Sequence, residues 1–216
     1  MDTEAARQQM VEQQIRTWEV LDPRVLEVLA RVPREAFVPP GYRELAFVDG
    51  PIPIGFGQMM LAPKLHGRIL QALSIDQRDK ALEIGTGTGY LTACMSLLSR
   101  ETASIDIHAD FVGLANSNLR AVPEASPKLE LRDAFSDAPL GRYDAIAVTA
   151  SLPTYDERFE QALTIGGRLF VVVGVAPVME ALLIRRVDES EWVRESLFET
   201  VIQPLVNAAE AQRFVF

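Results

Sequence analysis

The chain has 216 residues, of which 48% are apolar, and a formal net charge of −9. This length and composition predict a globular protein with a sizeable core. The acidic balance disfavours a nucleic-acid partner, and no apolar stretch approaches the ~18 residues of a membrane span, so neither a nucleic acid nor a membrane is expected as a partner.

Residues 1–75 are predicted to form a mostly helical lead-in. Apolar side chains recur at helical spacing over residues 5–18, and Asp22-Pro23 begins a second helix with an acidic N-cap and proline at the first helical position. The remaining features of this region are a helical turn over 33–37, a break at Pro39-Pro40-Gly41, a loop or short hairpin over 47–57 and a helix over 64–73.

From Lys80 onward, predicted strands and helices alternate. Strands are predicted over 81–84, 103–107, 129–131, 145–148 and 168–173, and helices over 90–99, 110–121 and 155–163. Apolar strands alternating with helices indicate a parallel sheet covered on both faces. Two late strands, 181–187 and 195–205, have no helix between them, only a turn near Asp188-Glu189-Ser190, so they are expected to pair antiparallel.

This pattern is typical of the class I S-adenosylmethionine-dependent methyltransferase fold. That fold is an α/β, Rossmann-like architecture with a central, mostly parallel seven-stranded sheet and an antiparallel end. Residues 76–216 are predicted to form this domain, and the N-terminal helical segment joins it in a single unit. The chain from Asn207 is expected to be a loose tail in which Phe214-Val215-Phe216 could dock on the protein.

The glycines of Gly85-Thr86-Gly87-Thr88-Gly89 lie between a predicted strand and a predicted helix. A glycine turn at this place lets a ligand lie against bare backbone, close to unpaired N–H groups of the helix. The Gly-x-Gly-x-Gly spacing differs from that of dinucleotide-binding turns and is common in S-adenosylmethionine-dependent methyltransferases. The alternative is an ordinary strand-to-helix corner.

Asp106 ends the next strand, about twenty residues further on, where a carboxylate can accept both ribose hydroxyls of an adenosyl ligand. The alternative roles are a solvated strand end or a helix N-cap, but Asp110 is the better N-cap candidate and leaves Asp106 free. The loop after residue 131 is expected at the same edge of the sheet. There Asp133 could bond the adenine amino group and Phe135 could pack on its ring, while Thr149 faces the same crevice.

The cysteine and histidine residues bear on compartment and metals. Cys94 is the only cysteine, so no internal disulfide can form and a cytoplasmic location is expected. The acidic, polar first residues are unlike a secretion signal. His66 and His108 stand far apart, and no cluster has metal-ligand spacing, so no metal is expected. The sequence leaves the oligomeric state open.

Six segments carry a family resemblance that spans residues 10–206. They are Val32-Pro33-Arg34-Glu35-Ala36-Phe37-Val38-Pro39, Pro51-Ile52-Pro53-Ile54-Gly55-x-Gly57-Gln58, Leu82-Glu83-Ile84-Gly85-Thr86-Gly87-Thr88-Gly89-Tyr90, Tyr143-Asp144-Ala145-Ile146-Ala147-Val148-Thr149-Ala150, Gly166-Gly167-Arg168-Leu169 and Pro204-Leu205-Val206. On these residues the chain resembles the protein-L-isoaspartate (D-aspartate) O-methyltransferases. The first two segments are far more specific than the glycine segment.

The resemblance implies methylation of the α-carboxylate of isoaspartyl residues in damaged proteins, with S-adenosylmethionine as cofactor. The substrate carboxylate is ionised at neutral pH, so no general base is needed. The implied cofactor contacts are Glu83, Gly85, Thr86, Gly87, Gly89, Asp106, Ile107, Asp133, Ala134 and Thr149. The implied catalytic loop residues are Gln58, Met59 and Leu61, with Ile54 and Gly57 also on the substrate side.

The chain departs from the family pattern in the substrate loop. Met59 replaces a threonine and Leu61 replaces a serine, so two hydroxyl donors are absent, and each bond to a charged group is worth about 1.5–3 kcal/mol. The sequence Met59-Met60-Leu61 favours an apolar substrate, because methionine adapts to irregular apolar surfaces, or else these residues fill the core. A second departure is Arg132-Asp133-Ala134 in place of Gly-Asp-Gly.

Three hypotheses follow. The chain is an isoaspartyl methyltransferase with an unusual substrate loop, a relative that methylates a different and more apolar small molecule, or a cofactor-binding module without catalysis. An NAD-dependent oxidoreductase is disfavoured by the glycine spacing and by the antiparallel end of the sheet.

Overall fold

The computed structural model describes residues 3–210, and its first part is the predicted helical lead-in. The elements of this part are α1 (Thr3–Met10), α2 (Pro23–Arg31), α3 (Arg34–Phe37), β1 (Ile52–Gly55), β2 (Gln58–Met60) and α4 (Pro63–Leu73). The predicted first helix is confirmed, although after α1 it continues as a π-helical turn and a 3-10 turn through Trp18. Helix α2 begins as predicted, because Asp22 Oδ1 accepts a hydrogen bond from Arg24 N at 2.9 Å.

The predicted break after the turn over 33–37 is confirmed, because α3 ends at Phe37 and Val38 is extended. A separate 3-10 helix over Pro40–Leu45, which was not predicted, begins directly after it, because proline fits the first turn of a helix. Of the loop or short hairpin predicted over 47–57, the structure has a hairpin, since β1 and β2 pair antiparallel, but it begins at Ile52 and extends to Met60. Phe56 lies in the turn between them with a φ of +52°.

The rest of the described chain forms one sheet with helices between its strands. The elements are β3 (Lys80–Ile84), α5 (Tyr90–Leu98), β4 (Glu101–Asp106), α6 (Ala109–Asn118), β5 (Lys128–Leu131), β6 (Tyr143–Leu152), α7 (Arg158–Gln161), β7 (Leu163–Val175), β8 (Val178–Asp188) and β9 (Glu191–Glu199). The strand order is β5-β4-β3-β6-β7-β8-β9. Pairing is parallel from β5 to β7 and antiparallel from β7 to β9. The predicted class I methyltransferase fold is therefore confirmed.

The limits of several elements differ from the predicted ones. Strands β6 and β7 are longer than predicted, and α7 is shorter than residues 155–163. Strand β9 ends at Glu199, so the prediction of a strand through residue 205 is wrong. Residues 200–205 return to β6 instead, where Leu205 N donates to Ser151 O at 2.8 Å. The predicted turn between the two late strands is confirmed, because Asp188 and Glu191 are paired across it.

The sheet is covered on both faces, as the apolar strands predicted. Alternate residues of β3 pack in two apolar clusters, with Ala81 in one and Leu82 in the other. Leu70 of α4 and Ala81 of β3 belong to the same apolar cluster, so the lead-in packs directly on the sheet. The boundary between two parts of the chain at residue 75 stays a prediction. The chain runs from β3 to β5 on one side and from β6 to β7 on the other, which places a ligand crevice beyond the carboxyl ends of β3 and β6.

Two further properties concern the described residues alone. Within residues 3–210, each helix is too short or too polar to cross a membrane. The same residues bring together no group of three His, Cys, Asp or Glu side chains that could hold a metal ion.

Candidate active site

The glycine turn after β3 needs glycine for conformation and for space. Gly85 has a φ of +96°, and a Cβ there would collide with Thr149 Oγ1, which donates to Gly85 O at 2.8 Å. Gly89 has a φ of +87°, and a Cβ there would lie 2.9 Å from the Cβ of Ala115 on α6. Gly85 therefore leaves backbone free at the crevice, whereas Gly89 allows α5 and α6 to approach each other and does not line the crevice.

Asp106 connects the glycine turn to the start of α6. Its Oδ2 accepts from Gly87 N at 2.9 Å, and its Oδ1 accepts from His108 N at 2.9 Å. The expectation that Asp110 is the N-cap is wrong, because α6 begins at Ala109 and His108 occupies the N-cap position. Asp106 is therefore not wholly free for a ligand, since its carboxylate also orders the entry to the helix.

An open crevice lies over the carboxyl ends of β3, β4 and β6. It brings together seven of the residues implied as cofactor contacts, namely Gly85, Gly87, Asp106, Ile107, Asp133, Ala134 and Thr149. The hairpin formed by β1 and β2 covers one side, because Ile54, Gln58 and Met59 also line the crevice. The loops that were predicted to hold the cofactor and the substrate therefore lie around one opening.

Asp133 lies on the opposite wall, where the end of the described chain packs. Its Oδ1 accepts from Phe135 N at 2.8 Å, and its Oδ2 accepts from Asn207 Nδ2 at 2.8 Å. Leu205 and Val206 line the same wall. The prediction of a loose tail from Asn207 is therefore wrong at that residue, and the predicted docking residues Phe214-Val215-Phe216 lie outside the described residues.

Phe135 does not face the crevice, contrary to the prediction that it packs on adenine. Its ring packs edge-on against Phe159 of α7, with centroids 5.9 Å apart, and lies 4.9 Å from the Arg158 guanidinium carbon. The aromatic side chain that lines the crevice is Phe111 of α6, beside the His108 ring. The two residues follow Asp106 closely in sequence, which was the available signal for them.

Glu83 and Thr86 support the glycine turn from behind. Glu83 is 1% exposed, and its Oε2 accepts hydrogen bonds from Thr92 Oγ1 and, at 2.6 Å, from Ser104 Oγ. Thr86 Oγ1 is 2.7 Å from the same Ser104 hydroxyl. Burial raises the pKa of Glu83 to about 8. Both residues border a second cavity between the turn and the hairpin, and they do not line the main crevice.

The substrate loop divides between crevice and core. Gln58 and Met59 line the crevice, whereas Met60 and Leu61 are only 4% and 8% exposed and belong to the apolar core. The alternative that these residues fill the core is therefore right for Met60 and Leu61, although Leu61 also borders the neighbouring pockets. Met59 is the apolar replacement that faces the site. Gly57 lies in the hairpin turn with a φ of +70° and does not line the crevice.

A buried arginine holds the substrate loop, and sequence reasoning missed it. Arg34 is fully buried and donates from Nε to Ala46 O and from Nη2 to Leu61 O, both at 2.8 Å. Its Nη1 lies 3.1 Å from His66 Nδ1. Burial lowers the pKa of Arg34 to about 10, and burial and the arginine charge lower the pKa of His66 well below its ordinary value. His66 is therefore a neutral acceptor inside the protein, and it is only 4% exposed.

An aromatic cluster fastens the tip of the hairpin to the far wall of the crevice. The Phe56 and His108 rings are stacked, with centroids 4.3 Å apart and an interplanar angle of 16°. Phe111 meets Phe56 edge-on, at 5.3 Å between centroids. This contact joins residues on distant segments of the chain, so the spacing of residues in the sequence gave no sign of it.

Comparisons with known proteins agree on one family. The model of the protein-L-isoaspartate(D-aspartate) O-methyltransferase family matches residues 5–210. The protein-L-isoaspartate O-methyltransferase of Synechococcus sp. (strain JA-2-3B'a(2-13)) is 34% identical over 207 residues, which are 93% of this chain and 85% of that protein. The protein-L-isoaspartate O-methyltransferase 2 of Pelobacter propionicus is also 34% identical, over 95% of this chain and 92% of that protein.

A solved structure shows the same fold. It is a Plasmodium falciparum protein-L-isoaspartate O-methyltransferase in complex with S-adenosyl-L-homocysteine, with a TM-score of 0.79 and 22% sequence identity. The alignment covers 92% of this chain and 97% of that chain.

Proposed function

Because the chain belongs to the protein-L-isoaspartate (D-aspartate) O-methyltransferase family, we propose that it methylates isoaspartyl α-carboxylates in damaged proteins and peptides. The observation that supports this activity best is the crevice in which the glycine turn, Asp106 and the substrate hairpin meet. The cofactor of the reaction is S-adenosylmethionine.

The residues around the crevice fit an adenosyl ligand. Gly85 and Gly87 present backbone without side chains, so a ligand in the crevice can lie directly against the turn. Asp106 uses each oxygen once within the protein, so each keeps a lone pair for a ribose hydroxyl. Ile107 and Ala134 offer apolar surface for a base, and Asp133, Thr149 and the turn residues Glu83, Thr86 and Gly89 complete the proposed cofactor site from its walls and from behind.

The protein's own contribution is to hold the substrate carboxylate beside the methyl donor and to exclude water from the two. When bound, S-adenosylmethionine supplies a methyl group on a sulfonium, which a carboxylate oxygen accepts while the carbon–sulfur bonding electrons return to sulfur, so no proton moves. Part of the crevice wall is apolar, and it excludes water from the reacting carboxylate. This part is formed by Ile54, Met59 and Leu205. Gln58 is the proposed polar contact of the loop with the peptide.

Met59 supports a second candidate function. A thioether at the crevice replaces the hydroxyl that the family pattern carries, and it favours an acceptor that is more apolar than an isoaspartyl peptide. A non-catalytic cofactor-binding module is the third candidate. We further propose a cytoplasmic location, which the buried free thiol of Cys94 supports.

Two measurements test these candidates in order. Calorimetry with S-adenosylhomocysteine should show binding. A lack of binding would overturn every methyltransferase hypothesis. Transfer of a labelled methyl group should then occur to an isoaspartyl peptide and not to the matched aspartyl peptide. Binding without transfer would leave the second and third candidates, which a screen of apolar acceptors separates.

A further inference from the structure

A further pocket, separate from the cavity that Glu83 and Thr86 border, opens beside the crevice and shares four residues with it, namely Gln58, Met59, Thr149 and Ala150. Much of its remaining wall is apolar and comes from Leu61, Leu65, Val201 and Ile202. Because the two spaces share these lining residues, a peptide that reaches the cofactor from this side passes the residues of this further pocket.

Lys64 is the only cationic residue among the described residues that line this pocket, and Asp49 is the only anionic one. Lys64 Nζ lies 2.9 Å from Asp49 Oδ2. It also lies 4.2 Å from the centroid of the Trp18 ring, a cation–π contact that restrains the long side chain. The Lys64 side chain is 23% exposed, so the ammonium is partly desolvated and still reachable from the pocket.

The ion pair between Lys64 and Asp49 is weak enough for Lys64 to change its partner from Asp49 to another carboxylate. An ion pair that solvent reaches on both sides contributes only about 0–1 kcal/mol, so replacing Asp49 by another carboxylate costs little. A carboxylate entering between Met59, Leu61 and Val201 would lose water without gaining a partner unless a cation is present. Lys64 supplies that charge at the point where the loop lacks the two hydroxyls of the family pattern.

We propose that Lys64 binds the isoaspartyl carboxylate and exchanges Asp49 for it when the peptide enters, an inference that rests on the proposed function. The methyl ester formed there is neutral, so it has no charge with which to compete against Asp49. The same pair therefore selects the charged substrate and favours release of the product.

Binding to the protein loaded with S-adenosylhomocysteine tests this exchange without catalysis. Two peptides with blocked termini are compared, one with the isoaspartyl carboxylate and one with a carboxamide in its place. We expect Lys64→Met to weaken binding of the carboxylate peptide about 10-fold and to leave binding of the carboxamide peptide unchanged. Asp49→Asn should tighten the carboxylate peptide about 3-fold, because it removes the competing anion.

Lys80→Met is the matched control. Lys80 also lies over an aromatic ring, that of Tyr143 at 4.9 Å, and pairs with Glu101. It stands at the amino end of β3, whereas the crevice lies beyond the carboxyl end of that strand. Equal loss for both peptides in Lys64→Met, or the same affinities in the wild type and Lys64→Met, would overturn the proposal. If the wild type binds the carboxylate peptide through Lys64 but transfers no methyl group to it, the proposed function fails alone.

Discussion

Glu83 is a carboxyl group kept away from water behind the glycine turn, and its titration has a measurable effect. The folded protein keeps the proton up to about pH 8, whereas the unfolded chain releases it near pH 4.5. The unfolded state therefore gains relative stability as the pH rises between these two values. This stabilising contribution is complete below the lower value and lost through the upper one.

We expect the free energy of unfolding of the wild type, relative to Glu83→Gln, to fall by about 3–4 kcal/mol between about pH 5 and about pH 8. Glutamine keeps the shape of the protonated carboxyl but does not titrate. Urea unfolding of both proteins without cofactor, at several pH values, measures the difference. A difference that stays constant with pH would show that Glu83 is ionised throughout.

Asp106 carries a second prediction at this scale. Asp106→Asn keeps the size of the side chain but loses the charge and one acceptor, so the ties to Gly87 N and His108 N cannot both persist. We expect S-adenosylhomocysteine to bind about 10- to 100-fold more weakly, as measured by calorimetry. Asp110→Asn is the control, because Asp110 is exposed in the first turn of α6 and does not line the crevice.

At the scale of elements, the contact between α5 and α6 depends on one glycine. Gly89→Ala should destabilise the protein by about 2 kcal/mol, because its Cβ would meet Ala115 and its φ is positive. Gly113→Ala should instead stabilise by about 0.5–1 kcal/mol, because that helical position is open. Chemical denaturation compares the two, and loss of stability in both would contradict the packing argument.

The elements also show how far the sequence can predict this protein. Alternating apolar strands and helices predicted the sheet, because both signals are local. The end of β9 at Glu199 was missed, since the following residues continue an apolar pattern yet pair with β6. Phe135 was placed at the crevice although Phe111 lines it, for the same reason. Which side of a loop reaches the crevice depends on tertiary packing, not on spacing.

At the scale of the whole molecule, the site closes only when the last described segment packs on β6. Ser151 N donates to Gln203 O at 2.8 Å, and Asn207 bonds to Asp133. A chain that ends after Glu199 should fold, but it lacks the wall formed by Leu205 and Val206. We expect it to bind S-adenosylhomocysteine at least about 10-fold more weakly by calorimetry.

A chain that ends after residue 210 is the control, because it keeps every contact described for that wall. Circular dichroism checks that both shortened chains retain the sheet. Equal affinity in the two chains would show that residues 200–210 contribute nothing to the cofactor site.

Arg34 has a consequence for how this chain could diverge from its relatives. The arginine holds the segment between residues 46 and 61 through carbonyl oxygens, which every amino acid possesses. The identities of Gln58 and Met59 are therefore not needed for these two contacts, whereas the Phe56 ring itself fastens the tip of the hairpin to His108 and Phe111. Evolution can exchange Gln58 and Met59, the residues proposed to meet the substrate, while their support stays intact, and the same freedom is open to a laboratory library at those two positions.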